Sequence, residues 1–377
     1  MRLLAIDVGG HTQDILLFDT GGLVENCFNM IMPSPTTIVS WQIKEATAER
    51  RPVVFTGVNA GGGPSFWALQ DHLKAGLKVY STPEAAVSFD DDLDRVVELG
   101  VKLVSADEAK KIRRAQRIEL KDIDLAAILV SFRLFGIEPI FEGLAVGVLD
   151  HGVAPKGKSD RFFRFEHLRN LMNQRNELIA MSYKAEEIPS YLTRMKAVAG
   201  SLSFDGVPLV LMDTGPAAAL GALEDRRVAV EERLVTLNMG NFHTLAFHIS
   251  DGKVLGFFEH HTGLLNARKT DSLVRQLVAG TLTNEDVFAA DGHGAWVSRG
   301  EQSVPFVTVT GPQRNLMSGS RLKPYFATPY GSMMLAGCFG LVRAFSLRVE
   351  QFRGEIEQSL KRDSAAGALR PRSASRK

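Results

Sequence analysis

Cysteine is scarce in this chain of 377 residues, which contains only Cys27 and Cys338. Two cysteines cannot form a disulfide framework, and they are too few for the four thiolates that usually hold an iron–sulfur cluster. The sequence also has no apolar run of about 18 residues, the length that a transmembrane helix needs. Met1-Arg2 leads directly into a strand pattern, without a signal peptide. We therefore expect a cytoplasmic protein with reduced, buried thiols and no membrane partner.

Net charge is nearly absent as well. The 44 basic and 43 acidic side chains leave a formal charge of +1, so no overall field favours nucleic acid. Hydrophobic residues make up 45% of the chain and charged residues 23%, which is enough apolar material for two domains with their own cores. The composition therefore favours a globular protein and gives no reason to expect a nucleic-acid partner.

A pattern that does stand out is the segment 3–24, LLAIDVGGHTQDILLFDTGGLV, in which apolar runs are separated by two glycine turns. This pattern predicts an antiparallel meander of strands. Asp7 ends the first strand, and Gly9 and Gly10 let the turn that follows come close to a ligand. Because successive N–H groups in such a turn can cradle a phosphate, we expect an anion-binding turn here.

The same pattern recurs without a gap at residues 234–255, LVTLNMGNFHTLAFHISDGKVL. In this alignment Asp7 matches Asn238, and Gly9 matches Gly240. One glycine hairpin is common, but two with the same internal spacing indicate a duplication. The repeat predicts two related lobes, each of which offers a phosphate-binding turn to a shared cleft.

The segment IDVGGHTQDILLFD at residues 6–19 resembles the first phosphate motif of the actin, hexokinase and Hsp70 ATPase superfamily. It is most similar to the version found in hydantoinase A and 5-oxoprolinase-type ATPases. In those proteins a Gly-Pro-Ala segment and then Gly-Ala precede the second phosphate motif. Here Gly215-Pro216-Ala217 and Gly221-Ala222 precede Asn238-Met239-Gly240-Asn241, in the same order and spacing.

The whole chain also resembles an uncharacterised family that is sometimes labelled as related to the pyruvate formate-lyase activating enzyme. That label implies radical chemistry on an iron–sulfur cluster. The sequence has no run of three closely spaced cysteines, and two cysteines are too few for the cluster. We therefore expect the fold and not the radical chemistry.

The superfamily resemblance implies an α/β protein in which two actin-like ATPase (ribonuclease H-like) lobes flank a cleft. We expect the first lobe at residues 1–205, with an inserted α/β segment, and the second at residues 206–350, with a C-terminal helix. Residues 362–377 are rich in Ser, Ala and Arg without periodicity, and they predict a disordered basic tail.

The resemblance also implies ATP and Mg2+ as ligands. Asp7 would hold Mg2+ through water, and Asp14 would hold a water or a substrate hydroxyl. The alternatives are that Asp7 caps its own turn and that Asp14 is a solvent-facing strand residue. Gly311 and Pro312 would lie near the nucleoside. The residues expected to bind the phosphates, by side chain or backbone, are Gly9, Gly10, His11, Thr12, Asn238, Gly240, Asn241, His243 and Thr244.

Two further loops follow strand patterns and could bind substrate or an anion. The strand pattern PVVFTG at residues 52–57 runs into a loop with Asn59, Gly61, Gly62 and Gly63, which opens a helix. The alternative is that these glycines only form a tight crossover, and the spacing is not that of a Walker A loop.

The second of these loops follows the strand pattern at residues 208–212 and contains Thr214 and Gly215. In parallel sheets, ligands bind outside the carboxyl ends of the strands. We therefore expect both loops, together with the loop at Gly311, to lie at one edge of the cleft.

Two departures from the superfamily pattern bear on turnover. His11 replaces a Thr of the first motif, and Asn238 replaces the Asp of the second. An amide supplies neither negative charge for a metal nor a base for water, so the sequence favours nucleotide binding over hydrolysis. Our first hypothesis is ATP-dependent phosphoryl transfer to, or activation of, a small molecule. The sequence leaves open whether the protein forms a homo-oligomer or binds a partner subunit. The alternative is a non-catalytic nucleotide- or anion-binding regulator whose lobes close on the ligand.

Histidines are clustered in the second half of the chain. His243, His248, His260 and His261 lie close together in sequence, and His293 falls in another predicted cleft loop. A transition-metal site needs three or four converging ligands, and strand alternation places His243 and His248 on opposite faces. Histidines that bind phosphate, substrate or a metal remain alternatives to a structural role, and metal-dependent chemistry is a third functional hypothesis.

Several local predictions concern secondary structure. The apolar run at residues 123–132 predicts a strand buried on both faces, and residues 162–199 predict mostly helix, split at Pro189. Residues 331–345 predict a helix with small residues, which the resemblance would place near an adenine pocket. The acidic run Asp90-Asp91-Asp92 predicts a solvated turn or helix cap.

Overall fold

The computed structural model describes residues 1–202, 204 and 206–366, with side chains as far as residue 361. The strands are β1 (Arg2–Val8), β2 (Thr12–Asp19), β3 (Phe28–Pro33), β4 (Val53–Gly57), β5 (Val79–Ser81), β6 (Val101–Leu103), β7 (Gln116–Leu120), β8 (Gly143–Val148), β9 (Ser182–Lys184), β10 (Leu209–Met212), β11 (Arg233–Met239), β12 (His243–Ser250), β13 (Lys253–His261), β14 (Gly294–Val297), β15 (Phe306–Thr310) and β16 (Tyr325–Phe326).

Helices connect and cover these strands. They are α1 (Pro35–Ala48), α2 (Gly63–Lys74), α3 (Pro83–Ala86), α4 (Leu93–Glu98), α5 (Ala106–Lys111), α6 (Leu125–Leu134), α7 (Asp160–Gln174), α8 (Thr193–Ser201), α9 (Thr214–Ala222), α10 (Ala267–Ala279), α11 (Asn284–Ala289), α12 (Ala336–Arg348) and α13 (Glu350–Ala366). Within the described ranges, no helix combines the length and hydropathy that a membrane span requires.

The two large sheets have the same core topology. The first has the order β3-β2-β1-β8-β10-β9, and the second has the order β14-β13-β12-β11-β15-β16. In each, an antiparallel meander of three strands continues into two parallel strands. The order 3-2-1-4-5 therefore occurs twice, with one extra strand on each sheet. This confirms the predicted fold class, two ribonuclease H-like lobes of the actin-like ATPase type.

The sheet registers confirm the predicted repeat at the level of single residues. Asp7 pairs with Asp14 across β1 and β2, and Asn238 pairs with Leu245 across β11 and β12. These pairs are equivalent in the gap-free alignment of the two segments. The duplication seen in sequence is therefore a duplication of strand pairing.

A third sheet, with the order β6-β5-β4-β7, is entirely parallel and lies in the chain between β3 and β8. It has an apolar core of its own, built from residues such as Val53, Phe55 and Leu69. This sheet and helices α2 to α5 form an α/β unit inserted in the chain between strands of the first sheet.

Each large sheet is covered by the helix that follows the strands of the other. α9 follows β10 of the first sheet and packs on β11, β12 and β15 of the second. α12 follows the second sheet and packs on β1, β8 and β10 of the first. One buried apolar cluster therefore contains Phe18 of the first sheet, Phe247 of the second sheet and Phe339 of α12. This exchange joins the two lobes beneath the cleft.

α9 and α12 cross at very short range because glycines lie at their contact. A Cβ on Gly221 would lie 1.7 Å from the carbonyl oxygen of Ala336, and a Cβ on Gly340 would lie 1.8 Å from that of Ala217. Both values are far inside van der Waals contact, and the obstructing atoms are backbone. The crossing therefore needs glycine at both positions.

We expect Gly221→Ala to lower the free energy of unfolding by about 1–3 kcal/mol, because the helices must separate to admit the methyl group. Urea denaturation measures this change. Gly354→Ala in α13 is the matched control, since a Cβ there would meet no described atom within 4 Å. The control is expected to be neutral or to stabilise by up to about 1 kcal/mol. Equal effects of the two variants would contradict the tight crossing.

Three local predictions were wrong or incomplete. Residues 123–132 were expected as a strand, but Leu125–Leu134 form α6, whose N-cap Asp124 accepts a hydrogen bond from the Ala127 amide. Residues 162–199 contain β9, which pairs with β10 and interrupts the expected helix. The helix expected at residues 331–345 begins later, at Ala336.

Two predicted boundaries also differ from the observed elements. β10 joins the first sheet, so the boundary expected at residue 206 falls inside that sheet. α13 extends to Ala366, so the first residues of the tail predicted at 362–377 are helical. Residues 367–377 of that predicted tail lie outside the described residues.

Candidate functional site

The lobes and the inserted segment enclose a cleft of about 710 Å3. All three strand-end loops that we expected at one edge reach this cleft, although their strands belong to three different sheets. The candidate residues that line it are Asp7, Gly9, Gly10, Thr12, Asp14, Asn59, Gly61, Gly62, Gly63, Thr214, Gly215, Asn238, Gly240, Asn241, His243, Gly311 and Pro312.

The two glycine turns have the same internal geometry. The Gly9 amide donates to the carbonyl oxygen of Thr12 at 2.8 Å, and the Gly240 amide donates to that of His243 at 2.9 Å. A Cβ on either glycine would lie within 3.0 Å of that same carbonyl oxygen. Both turns line the cleft, so the backbones of two matching tight turns form part of its wall.

Two candidate residues, His11 and Thr244, do not line the cleft. His11 is exposed at the rim, with its ring 4.9 Å from that of Phe242, its counterpart in the repeat. Thr244 is fully buried and shares a hydrogen bond with Thr262. Strand alternation explains the second case, because the repeat matches Thr12 with His243 and places Thr244 on the opposite face of β12. The side chain of Thr244 therefore does not reach a ligand in the cleft.

Asp7 and Asp14 are neighbouring buried carboxyls in the first sheet, near the end of β1 and the start of β2. Asp7 accepts a hydrogen bond from the Thr214 hydroxyl, whereas Asp14 Oδ1 has no hydrogen-bond partner among the described residues. Burial raises the pKa of Asp7 to about 7. Burial, together with the charge of Asp7, raises the pKa of Asp14 to about 8. Two adjacent buried carboxyls with an unpaired oxygen form a place where a cation would be stabilised.

The titration of Asp14 predicts a pH dependence of stability. Because its folded pKa lies above its unfolded value, the native state keeps a proton that the unfolded state loses, and stability falls as pH rises from about 4 to about 8. We expect Asp14→Asn to be more stable than wild type at pH 8.5 by about 1–3 kcal/mol. Urea midpoints measured from pH 4 to 8.5 test this. The difference should vanish near pH 4, and a difference that did not change with pH would contradict the assignment.

Helix N-termini meet the cleft beside these carboxyls. α9 begins at Thr214 and α12 begins at Ala336, and both of these residues line the cleft. A Cβ on Gly337 would lie 1.8 Å from Asp7 Oδ2, so the first turn of α12 packs directly on that carboxyl. The first-turn amides and the positive ends of the helix dipoles favour an anion in this region.

An aromatic group closes the rim where the lobes and the insertion meet. The ring of Phe242 lies 5.7 Å from that of Trp67, edge to face, as well as near His11. A Cβ on Gly10 would lie 2.2 Å from the Phe242 ring, so glycine is needed there for the ring to approach. Phe242 was not among the predicted site residues.

Asn238 lies at the end of β11, where its Oδ1 is 3.5 Å from the Thr310 hydroxyl. Gly311, which follows Thr310 in the chain, has a positive φ of 96°. A Cβ on Gly311 would lie 2.4 Å from the Met239 carbonyl oxygen. The Gly311 amide donates to Met333 Sδ at 3.1 Å. Pro312 and Met333 therefore give this end of the cleft an apolar wall next to a neutral amide.

A buried ion network crosses between the lobes, and the sequence did not predict it. Arg164 of α7 is 2% exposed, and it donates to Asp213 Oδ2 at 2.6 Å and to Glu259 Oε2 at 2.9 Å. Asp213 caps α9 next to the first sheet, whereas Glu259 belongs to β13 of the second. Burial acts to raise the pKa of Glu259, but the charge of Arg164 and three nearby histidines hold it below its usual range.

Those histidines are His151, His243 and His293, and His261 lies beside them. Ring centroids of neighbouring pairs are 4.8–6.0 Å apart. Burial lowers the pKa of His243 to about 4 and that of His293 to about 3, so these imidazoles are neutral at pH 7. The expectation that His243 and His248 do not share a site is confirmed, since His248 is buried against Glu301 instead.

These features define a protein with the actin-like ATPase fold and a cleft between its lobes. Residues 60–316, more than half of the chain, match the model of the family described as "Putative pyruvate format-lyase activating enzyme (DUF1786)". The chain therefore belongs to this family. No protein with a curated description matches the sequence.

Among solved structures, the chain is similar to the inorganic polyphosphate/ATP-glucomannokinase from Arthrobacter sp. strain KM, at 14% identity and a TM-score of 0.34, over 92% of this chain and 99% of that one. It is similar to the ROK hexokinase from Thermus thermophilus, at 14% identity and 0.31, over 93% and 100%. It is also similar to apo psk41 ParM, at 13% identity and 0.33, over 95% and 99%. Similarity at this level says nothing about activity or substrate.

The radical chemistry suggested by the family description does not fit the cysteines of this chain. Cys27 and Cys338 are both buried and unbridged. Burial raises the pKa of the Cys338 thiol well above its ordinary value, and its Sγ lies against the Asp14 carbonyl oxygen at 3.1 Å. Two thiols held in this way cannot supply the ligands of an iron–sulfur cluster.

Proposed function

We propose that this protein binds Mg·ATP in the interlobe cleft and uses it for phosphoryl transfer to, or activation of, a small molecule. The observation that carries the proposal is the matched pair of tight glycine turns beside the buried Asp7 carboxyl. A triphosphate needs many N–H donors and a counter-cation, and this part of the cleft offers backbone N–H groups beside a carboxyl that would hold the cation. We also propose a kinship with the hydantoinase A-type branch of the superfamily, on the motif order alone, and a cytoplasmic location, on the two unbridged cysteines.

Phosphate recognition would be divided between the lobes. In the turns at residues 9–12 and 240–243, backbone amides other than those of Gly9 and Gly240, which donate within the turns, would donate to phosphate oxygens. The N-termini of α9 and α12 would stabilise the phosphate charge. Mg2+, when bound, would supply positive charge that offsets the phosphates. Asp7 would accept hydrogen bonds from the water around the cation, and its proton would be released when the cation binds.

The two ends of the cleft suit different parts of a substrate pair. The apolar wall of Pro312 and Met333, with the turn at Gly311, would receive the nucleoside. The loop from Asn59 to Gly63 also lines the cleft and would hold the small molecule. Asp14 would orient a hydroxyl or a water between them. A cleft of about 710 Å3 is within the range of ordinary ligand sites and can hold a nucleotide with a small second substrate.

The alternative is a regulator that binds nucleotide without turnover, and Asn238 is the observation that favours it. A neutral amide at this position cannot remove a proton from water. In that case the lobes would close on the ligand through the contact between Phe242 and Trp67. A partner subunit or a second copy of the chain would then bind the closed conformation.

Measurement of ADP release tests this proposal and separates its two forms. Wild-type protein and Asp7→Asn are incubated with Mg·ATP, alone and with a panel of sugars, amides and carboxylic acids. Substrate-dependent ADP release that the Asp7→Asn variant lacks is the expected result for the enzyme. Saturable ATP binding without ADP release under any condition would identify the regulator. Equal ADP release by both proteins would overturn the assigned site.

A further inference from the structure

The histidine cluster on the inner wall of the cleft has the geometry of a metal-ligand set. One ring nitrogen each from His151, His243 and His293 lies within 4.8 Å of the other two. Nitrogens bound to one tetrahedral zinc-type ion are about 3.4 Å apart, given bonds of about 2.1 Å. Small rotations of the imidazoles would therefore bring the three nitrogens into a single coordination sphere.

The chain holds these rings in place from three separate elements. His151 follows β8 of the first sheet, His243 begins β12, and His293 directly precedes β14. The His293 amide donates to the carbonyl oxygen of Glu259 at 2.9 Å. A Cβ on Gly292 would lie 2.5 Å from Val287, so the backbone beside His293 is tightly packed. The fold therefore holds together three histidines that are far apart in the sequence, and they are not a run of neighbouring surface histidines.

Unsatisfied polar atoms and surplus charge point to a cation here. His293 is 1% exposed, yet its Nδ1 has no hydrogen-bond partner within the described part of the chain. The same holds for Oε1 of Glu259, which is fully buried. A buried polar atom without a partner is costly. One guanidinium, that of Arg164, faces the two carboxylates of Asp213 and Glu259, and this leaves negative charge next to neutral imidazoles.

We propose that His151, His243 and His293 bind a divalent transition-metal ion of the zinc type, in a site that bridges the two lobes. Three imidazoles with a remaining open position form the ligand set of catalytic rather than structural zinc sites. His151 and His243 line the cleft, so the open position faces the substrate space beside the second glycine turn. Mg2+ prefers oxygen ligands over imidazole, so this site is separate from the cation site proposed at Asp7.

Metal titration of the untagged, chelator-treated protein tests the site without any nucleotide. Zn2+ is titrated against a chromogenic chelator in the presence of excess Mg2+, and Co2+ binding is followed by its visible spectrum. We expect one ion per chain and a Co2+ spectrum of four-coordinate type. We expect His243→Ala and His293→Ala to weaken Zn2+ binding by at least about 100-fold, since each removes one of three ligands. His11→Ala is the control, a rim histidine outside the cluster, and it should bind Zn2+ as wild type does.

The bridging character of the site gives an independent readout. Zn2+ should raise the melting temperature of the wild type, and it should fail to do so for His151→Ala, in which the first lobe loses its only ligand. Circular dichroism and urea midpoints in the presence of chelator show whether each variant folds, and the half-buried His151 is the position best able to accept the change. Failure of the wild type to bind Zn2+ or Co2+, or unchanged binding by folded His151→Ala and His243→Ala, would overturn the proposal. Because no nucleotide is present, neither result depends on the proposed ATP site.

Discussion

Replacing Arg164 with methionine is expected to lower the free energy of unfolding by about 3–5 kcal/mol. Arg164 is buried, and its guanidinium donates to Asp213 of the first lobe, to Glu259 of the second and to the carbonyl oxygen of Asp150. Methionine fills a similar volume but leaves two buried carboxylates without a counter-charge. Urea denaturation at pH 7 measures the loss.

Two further variants separate the charge effect from a packing effect. Arg353→Met removes an exposed pair with Glu357 and should cost less than about 0.5 kcal/mol. The double variant Arg164→Met/Glu259→Gln should recover part of the lost stability, because the Glu259 carboxylate that lost its counter-charge is then neutral. Comparable losses for Arg164→Met and Arg353→Met would contradict a central role for this network.

The second large effect concerns Asp7. With ligand at about 100 times Kd, binding stabilises the native state by about 2.7 kcal/mol, which corresponds to roughly 3 °C in melting temperature for a chain of this size. We expect wild type to show this shift with Mg·ATP and Asp7→Asn to lose most of it. We also expect the variant without ligand to melt at a higher temperature than wild type at pH 8, because a buried carboxylate has been removed. Differential scanning calorimetry measures both changes.

Asp225→Asn is the matched control for Asp7→Asn. Asp225 is a buried aspartate outside the cleft, and it accepts hydrogen bonds from the amides of Arg227 and Thr328. Its replacement should lower the melting temperature without ligand and leave the Mg·ATP shift intact. An Asp7→Asn variant that retained the full shift would show that the nucleotide does not bind where we place it.

The local patterns of the sequence predicted the repeated hairpins well. Glycine spacing and apolar runs are local signals, and they predicted the two meanders and the match of Asp7 with Asn238. They also predicted that the loops at Gly61, Thr214 and Gly311 lie at one cleft, and all three line it. Thr244 shows the limit of this approach, since the motif suggested a phosphate contact and strand alternation turned its side chain away.

The prediction at residues 123–132 failed for a physical reason. A continuous apolar run is compatible with a buried strand or with a helix, and length alone did not separate them. In the structure Ile128 and Phe132 are buried, whereas Val130 and Leu134 are exposed. Asp124, which caps α6, was a helix signal in the sequence that outweighs the strand interpretation.

The interlobe features could not be predicted from local patterns. Arg164, Asp213 and Glu259 meet across long stretches of chain, and so do His151, His243 and His293. Such contacts depend on how the two sheets exchange their covering helices. The sequence showed that histidines were frequent near residue 243, but it could not show which of them converge.

Isothermal titration calorimetry of the wild-type protein with Mg·ATP tests the central claim most directly. The account predicts one site per chain, with affinity at least about tenfold weaker when a chelator removes the Mg2+ that neutralises the phosphates. Absence of saturable binding by ATP, ADP and GTP in the presence of Mg2+ would contradict a nucleotide cleft built on the paired turns at residues 9–12 and 240–243.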